Sequence, residues 1–396
     1  MTAGGPRPWW RTWRALTVGA VVALAAVIFG ISFLPVAPVA PASTPIPITT
    51  KGKLVRQIEL LNYPNAQDGW AVVPTSPYWR VVRTSDGGSR WQDVTPPGAA
   101  SNGGLALTVT GASTAAVVFL AYQYIRDSTF AFTSDGGAEW TAGILPNSAS
   151  SGPDPIYVLS SHQIFAVLGN GTLISSADGG ATWADVSLPG IGSGSCRPTS
   201  VWFTSGSSGW VTGDCTGVAA LWHTSNSGLS WTAEVLSSGY PSTAAVTIAP
   251  PQVTRSGGAF TTAVATASST ESLRVFDDSS GSWVSTPSVA LPAGRLLVSF
   301  ENSSHGWVLD APSTAGAVAL AYSTSNEGAN WSLRTTPIPA GQVTQLDLAS
   351  PEHAVALAQA ARERVLWSTD DAGVHWTQAP LVIFNGPEPR VNGITG

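Results

Sequence analysis

Thr84-Ser85-Asp86-Gly87-Gly88-Ser89-Arg90-Trp91 reads as a turn between two strands. An Asp side chain accepts hydrogen bonds from the backbone N–H groups just ahead of it. Gly88 supplies a positive φ that closes the turn, and Trp91 opens the next strand with a side chain large enough to fill the space between sheets. The same Ser/Thr-x-Asp/Asn-x-Gly-x-x-Trp pattern returns as Thr133-Asp135-Gly137-Trp140, Ser176-Asp178-Gly180-Trp183, Thr224-Asn226-Gly228-Trp231, Thr324-Asn326-Gly328-Trp331 and Thr369-Asp371-Gly373-Trp376. A worn copy ends at Trp283, with Asp278 in place and Gly281 shifted by one. From Trp91 to Trp376 the seven tryptophans make six steps with a mean of 47.5 residues, the length of a four-stranded propeller blade.

A second signal lies roughly twenty residues before most of these turns. Asp68-Gly69-Trp70-Ala71-Val72, Ser208-Gly209-Trp210-Val211 and Ser304-His305-Gly306-Trp307-Val308 are its clearest copies, each a tight turn entering an apolar strand. Ser161-His162-Gln163-Ile164-Phe165 and Glu352-His353-Ala354-Val355 are weaker ones. The expected fold is all-β: a seven-bladed β-propeller of four-stranded antiparallel blades over residues 57–381, with a tail over 382–396 that has no assigned blade.

Composition agrees. Of 396 residues only 11% are charged, against 41 Gly, 29 Pro and 17 Trp. Gly and Pro at that density exclude a mostly helical chain, while 43% hydrophobic residues exclude disorder. No Lys/Arg cluster appears beyond the first residues, so nucleic acid is not an expected partner.

Ahead of the repeats, Arg7, Arg11 and Arg14 form a cytoplasmic segment (1–14) before a 20-residue uncharged run, 15–34. A helix of that length crosses a hydrocarbon core of roughly 30 Å, and the arginines keep its start inside. The run reads as an uncleaved transmembrane anchor. The alternative is a signal peptide cut near Ala40-Pro41-Ala42, whose apolar core would be unusually long. Residues 35–56 are a Pro-rich linker, and the chain from residue 15 on carries 15 basic and 24 acidic residues. The expected location is membrane-anchored and extracytoplasmic, or secreted if the segment is cleaved.

The recurrent boxes resemble Asp-box (bacterial neuraminidase) repeats. Their pairing with Asp-Gly-Trp turns on one blade resembles the photosystem II assembly/stability-factor-like β-propellers, over Gln57 to about Leu381. The resemblance implies a non-enzymatic extracytoplasmic scaffold that binds a protein partner and aids assembly or stability of an envelope complex. Sialidases, some glucanases and sortilin-type receptors carry the same box, so a glycoside hydrolase or glycan-binding propeller stands as the alternative. A sialidase needs three arginines on a carboxylate, an acid and a Tyr–Glu pair. No Arg-Ile-Pro motif stands near the start of the repeats.

Asp86, Asp135, Asp178 and Asp371 are expected to close turns. Asp310, Asp214, Asp127 and Glu271 fall near expected hairpin tips, where acids are normally solvated. His162, His305 and His353 recur at one blade position, hence on different blades, so no metal and no cofactor is expected. Cys196 and Cys215 face each other about the turn at Ser205–Ser208: antiparallel partners there carry numbers adding to nearly 413, and theirs add to 411. A disulfide is expected. Connectivity puts both recurrent turns on one face of the disc. The other face carries the hairpins and the links between blades, with Tyr78, Trp79, Tyr122, Tyr124, Arg126, Asp127, Arg362, Glu363 and Arg364. Aromatics with Arg on exposed loops favour binding, and this is the candidate partner face.

Overall fold

Each of the six intact repeats folds into one turn, built around a buried hydroxyl. In a computed structural model of the chain, Thr84 Oγ1 donates to Asp86 Oδ1 at 2.9 Å and accepts the Gly88 N–H at 2.9 Å. Asp86 Oδ1 in turn accepts the Arg90 N–H at 2.8 Å. The same three bonds recur at Thr133, Ser176, Thr224, Thr324 and Thr369. The residue before each glycine is also left-handed, and three of these carry side chains: Ser227, Glu327 and Ala372. Its N–H explains why. Gly87, Gly136, Gly179, Ser227, Glu327 and Ala372 each donate to a carbonyl of the turn joining the first two strands of the same blade. The recurrent turn is thus bonded to the first turn of its own blade six times over, and five of those first turns carry the second signal.

The structure describes residues 53–55, 57–75, 78–97, 105–119, 128–146, 155–190, 196–215, 218–234, 236, 245–249, 251–253, 259–267, 270–278, 283–285, 289–290, 294–312, 314, 316–360, 363–379, 381–384 and 389–393. The anchor read over 15–34 lies outside them. Seven antiparallel four-stranded blades follow in chain order. Blade 1 runs from Leu60–Asn62 at the inner edge through Gly69–Thr75 and Tyr78–Thr84 to Trp91–Asp93. Blade 7 runs through Val343–Leu348, Ala354–Ala360, Glu363–Thr369 and Thr377–Ala379.

The core is a set of clusters between neighbouring blades. Each turn tryptophan packs against the preceding blade: Trp140 with Trp70 (ring centroids 6.4 Å apart), Trp283 with Trp210 (5.3 Å), Trp376 with Trp307 (6.0 Å). Phe165 takes the same place opposite Trp231 in blade 3. The glycine of each Gly-Trp turn is required by packing. A Cβ on Gly69, Gly209 or Gly306 would lie 2.7, 2.5 or 2.3 Å from Tyr63, Phe203 or Phe300, the ring that ends the inner strand. Burying one such aromatic contributes roughly 2–3 kcal/mol.

Blade 5 departs from the pattern for a visible reason. Phe276, fully buried, stands where the hydroxyl should be, and Asp278 accepts the Ala259 N–H of the neighbouring strand. Trp283 is nevertheless buried against blade 4.

Segments before and after the blades join the sheets. Leu381–Phe384 adds parallel to the outer strand of blade 1, and Lys53–Val55 pairs antiparallel outside it. Arg390–Gly393 then adds parallel to Glu139–Leu145, the outer strand of blade 2. The end of the Pro-rich stretch and two segments of the tail are therefore strands. Leu381 and Ile383 bury themselves in the cluster between blades 7 and 1, so the tail straps the seam of the ring.

Candidate functional site

The hairpin face is where sequence places the partner contacts. Tyr78 opens the third strand of blade 1 opposite Thr75, and Glu363 opens that of blade 7 opposite Ala360. Tyr122, Tyr124, Arg126, Asp127 and Arg362 lie outside the described residues. Trp79 is half-buried and packs on the cluster between blades 1 and 2. Arg364 spans the ring seam: it pairs with Glu59 at 2.8 Å and donates to the Ile58 and Glu59 carbonyls. Both residues hold blades together as well as facing outward.

The inner strands form the rim of the central channel, and as sheet edges they leave backbone N–H groups without a ladder partner. Side chains of the preceding blade cap several of them. Ser299 in blade 6 accepts the Leu348 N–H of blade 7 at 2.9 Å, and Glu271 in blade 5 accepts the Leu296 N–H of blade 6 at 2.6 Å. Across the seam, Gln345 accepts the Leu61 N–H at 3.2 Å and donates to the Leu61 carbonyl, while Asp347 accepts the Tyr63 N–H. Burial pushes Asp347 up to about 7 against the pull of the Tyr63 and Leu348 N–H groups. Nothing in the local sequence marks the Gln345 and Asp347 caps, because their partners lie 284 positions away.

One expectation about ionisable groups needs revision. Asp310 is not a solvated tip: the second strand of blade 6 runs on to Pro312, and Asp310 is 0% exposed within it. His353 stands in the turn before the second strand of blade 7, where it is buried, bonds Asp370 through Nδ1 and lies 5.7 Å from the Tyr63 ring. The turn acids accept hydrogen bonds within their own turns. Asp178 is held down to about 2 by the Thr182 hydroxyl and N–H, and Asp371 to about 2 by the His375 N–H and ring.

Ser208, His223 and Glu234 invite comparison with a nucleophile–base–acid set. Ser208 Oγ lies 3.0 Å from His223 Nε2, but His223 Nδ1 is 4.0 Å from Glu234, beyond hydrogen-bond reach. The same two places in blade 1 hold Asp68 and Arg83, 2.7 Å apart, with Arg83 over Trp70 just as His223 stacks on Trp210. The blade 4 trio is that structural latch with other residues. Cys196 and Cys215 form a disulfide at a register pair of blade 4, after a bulge at Pro198/Ser200 has shifted the pairing by one. Among the described residues no three His, Cys, Asp or Glu side chains group so as to hold a metal ion.

No protein-family model matches the chain, and no curated protein matches it. Solved structures do. A structure of YCF48 bound to D1 peptide is 15% identical, with 80% of this chain and 94% of that one covered at a TM-score of 0.51. The GH74 xyloglucanase from Xanthomonas campestris is 14% identical, with 84% and 55% covered and a TM-score of 0.54. A structure from a study of two prolyl endopeptidases is 10% identical, with 84% and 51% covered and a TM-score of 0.57. This chain thus spans about half the length of those two enzymes. At such identities the likeness is one of propeller fold.

Proposed function

We propose that this chain is a non-enzymatic extracytoplasmic β-propeller scaffold, anchored by residues 15–34, that binds a protein partner and aids assembly or stability of an envelope or membrane complex. What carries the reading is length. The peptide-bound propeller is matched over 94% of its chain, whereas the xyloglucanase and the prolyl endopeptidase structure are matched over about half of theirs. The channel-rim side chains support it too, since Gln345, Asp347, Ser299 and Glu271 are committed to backbone caps. The partner face is the hairpin side.

The second reading, a glycoside hydrolase or glycan-binding propeller, draws on the xyloglucanase likeness. One experiment separates them: full-length protein in detergent is used to capture partners from its own membranes and, in parallel, is offered a panel of chromogenic glycosides. Saturable capture of a defined membrane protein without turnover is expected. Turnover abolished by one Asp or Glu substitution would overturn the scaffold reading.

A further inference from the structure

Between blades 5 and 6 the packing contains an acid where the other blades carry small or apolar groups. The fifth residue of the second strand is Val73 in blade 1, Gly213 in blade 4, Ala263 in blade 5 and Ala358 in blade 7, but Asp310 in blade 6. Asp310 pairs across the sheet with Leu296 and Leu320 and shares a strand face with Val308, in the apolar cluster that includes Leu273 of blade 5. It is fully buried, and neither carboxyl oxygen has a partner among the described residues.

A buried carboxylate without a donor is far costlier than a buried neutral acid, so such a group keeps its proton. Two titratable groups face it. Glu271 of blade 5 already has a fixed donor, the Leu296 N–H at 2.6 Å, and Tyr322 sits on the third strand of blade 6. Arg295, the nearest cation along the chain, turns away and donates to the Val343 carbonyl in the next interface at 2.7 Å.

We propose that Asp310 is a proton-controlled latch: as the neutral acid it packs blades 5 and 6 together, and its ionisation loosens this one seam. Burial first, and the Glu271 carboxylate second, push Asp310 up to about 6. The sign follows from that direction. Below about pH 4 the group is mostly protonated in folded and unfolded chains alike, so its ionisation contributes little. Between about 4 and 6 the unfolded chain ionises and the folded one resists, so stability falls as pH rises, and above about 6 the loss is constant.

The test is unfolding of the full-length protein in detergent from pH 4 to pH 8, for wild type, Asp310→Asn and Glu271→Gln. Wild type and Asp310→Asn should match at pH 4. By pH 7 the folding equilibrium of Asp310→Asn should lead by roughly a hundredfold, following the shift from 3.8 to about 6. Glu271→Gln, which removes the second charge and can still accept the Leu296 N–H, should shrink the loss and move it to lower pH. The infrared carbonyl band of protonated carboxylic acids at pH 5 should be weaker in Asp310→Asn than in wild type by one buried acid, with Asp347 contributing to both. A stability difference independent of pH, or a band at pH 5 that Asp310→Asn leaves unchanged, refutes the latch. So does stabilisation by calcium at pH 7 that Asp310→Asn loses, which would make the acid a cation ligand.

Discussion

Replacing Thr133 by Val tests whether the recurrent turn is organised by its hydroxyl. Val has nearly the shape of Thr, so packing is kept at a site only 2% exposed. What disappears is the acceptor of the Gly137 N–H at 3.0 Å and the donor to Asp135 at 2.8 Å. Stranding a buried N–H costs about 1–3 kcal/mol, and losing a neutral-to-carboxylate hydrogen bond adds about 1–2 kcal/mol. Part of the second term returns, because Asp135 keeps the Ala138 and Glu139 N–H groups. The expected loss is about 2–4 kcal/mol, a fall in Tm of roughly 5 °C for a chain of this size, read by tryptophan fluorescence and calorimetry. Thr133→Ser and Asp135→Asn should each cost less than about 1 kcal/mol, since Ser176 and Asn226 do the same work in other blades. Thr133→Val paired with Thr369→Val should be additive, because the two turns sit in different blades and share no partner. If Thr133→Val costs no more than Thr133→Ser, the hydroxyl is not the hub and the turn is held by its glycine alone.

Four further outcomes follow from the structure. Gly228→Ala meets both a φ of +82° and a Cβ 2.4 Å from Phe165, so a loss of about 2–5 kcal/mol is expected. Gly190→Ala, at φ +84° with open space around it, should lose only about 1–2 kcal/mol in the same urea titration. Removing residues 381–396 takes away the buried Leu381 and Ile383 and should cost about 3–6 kcal/mol, with proteolysis starting in blade 1; equal protease resistance would show the strap to be idle. Replacing Cys196 and Cys215 together by Ser opens a link across 19 residues and should cost about 3 kcal/mol in chemical denaturation, with no gain from reductant thereafter.

What sequence reveals here is what the chain settles locally. The six turns are legible because hydroxyl, acid, glycine and tryptophan act within eight residues of one another. The seven-blade count follows from their spacing, and the Cys196–Cys215 pairing from a single hairpin. The legible part ends where partners are distant. Nothing about Lys53–Val55 marks it as a strand, since its partner, Leu381–Phe384, comes over 320 residues later. Gln345 and Asp347 look like ordinary polar strand residues until blade 1 returns beside blade 7. Asp278 keeps the acid's place in the worn repeat, but with Phe276 in the hydroxyl's place it bonds the neighbouring strand. Asp310 was misplaced because the blade 6 strand is longer than a tip-based reading allows. On the face proposed for the partner, Trp79 and Arg364 serve blade packing, a role that residue type alone does not separate from binding.

The direct test of a hairpin-face scaffold is site-specific photo-crosslinking in native membranes. A photoreactive residue at Tyr78, which opens the third strand on that face, is compared with one at Leu229, 84% exposed in a recurrent turn on the opposite face. The expected result is a crosslink from position 78 to one defined envelope protein and none from position 229. A crosslink from 229 alone, or none from either while the protein turns over a glycoside, would contradict it.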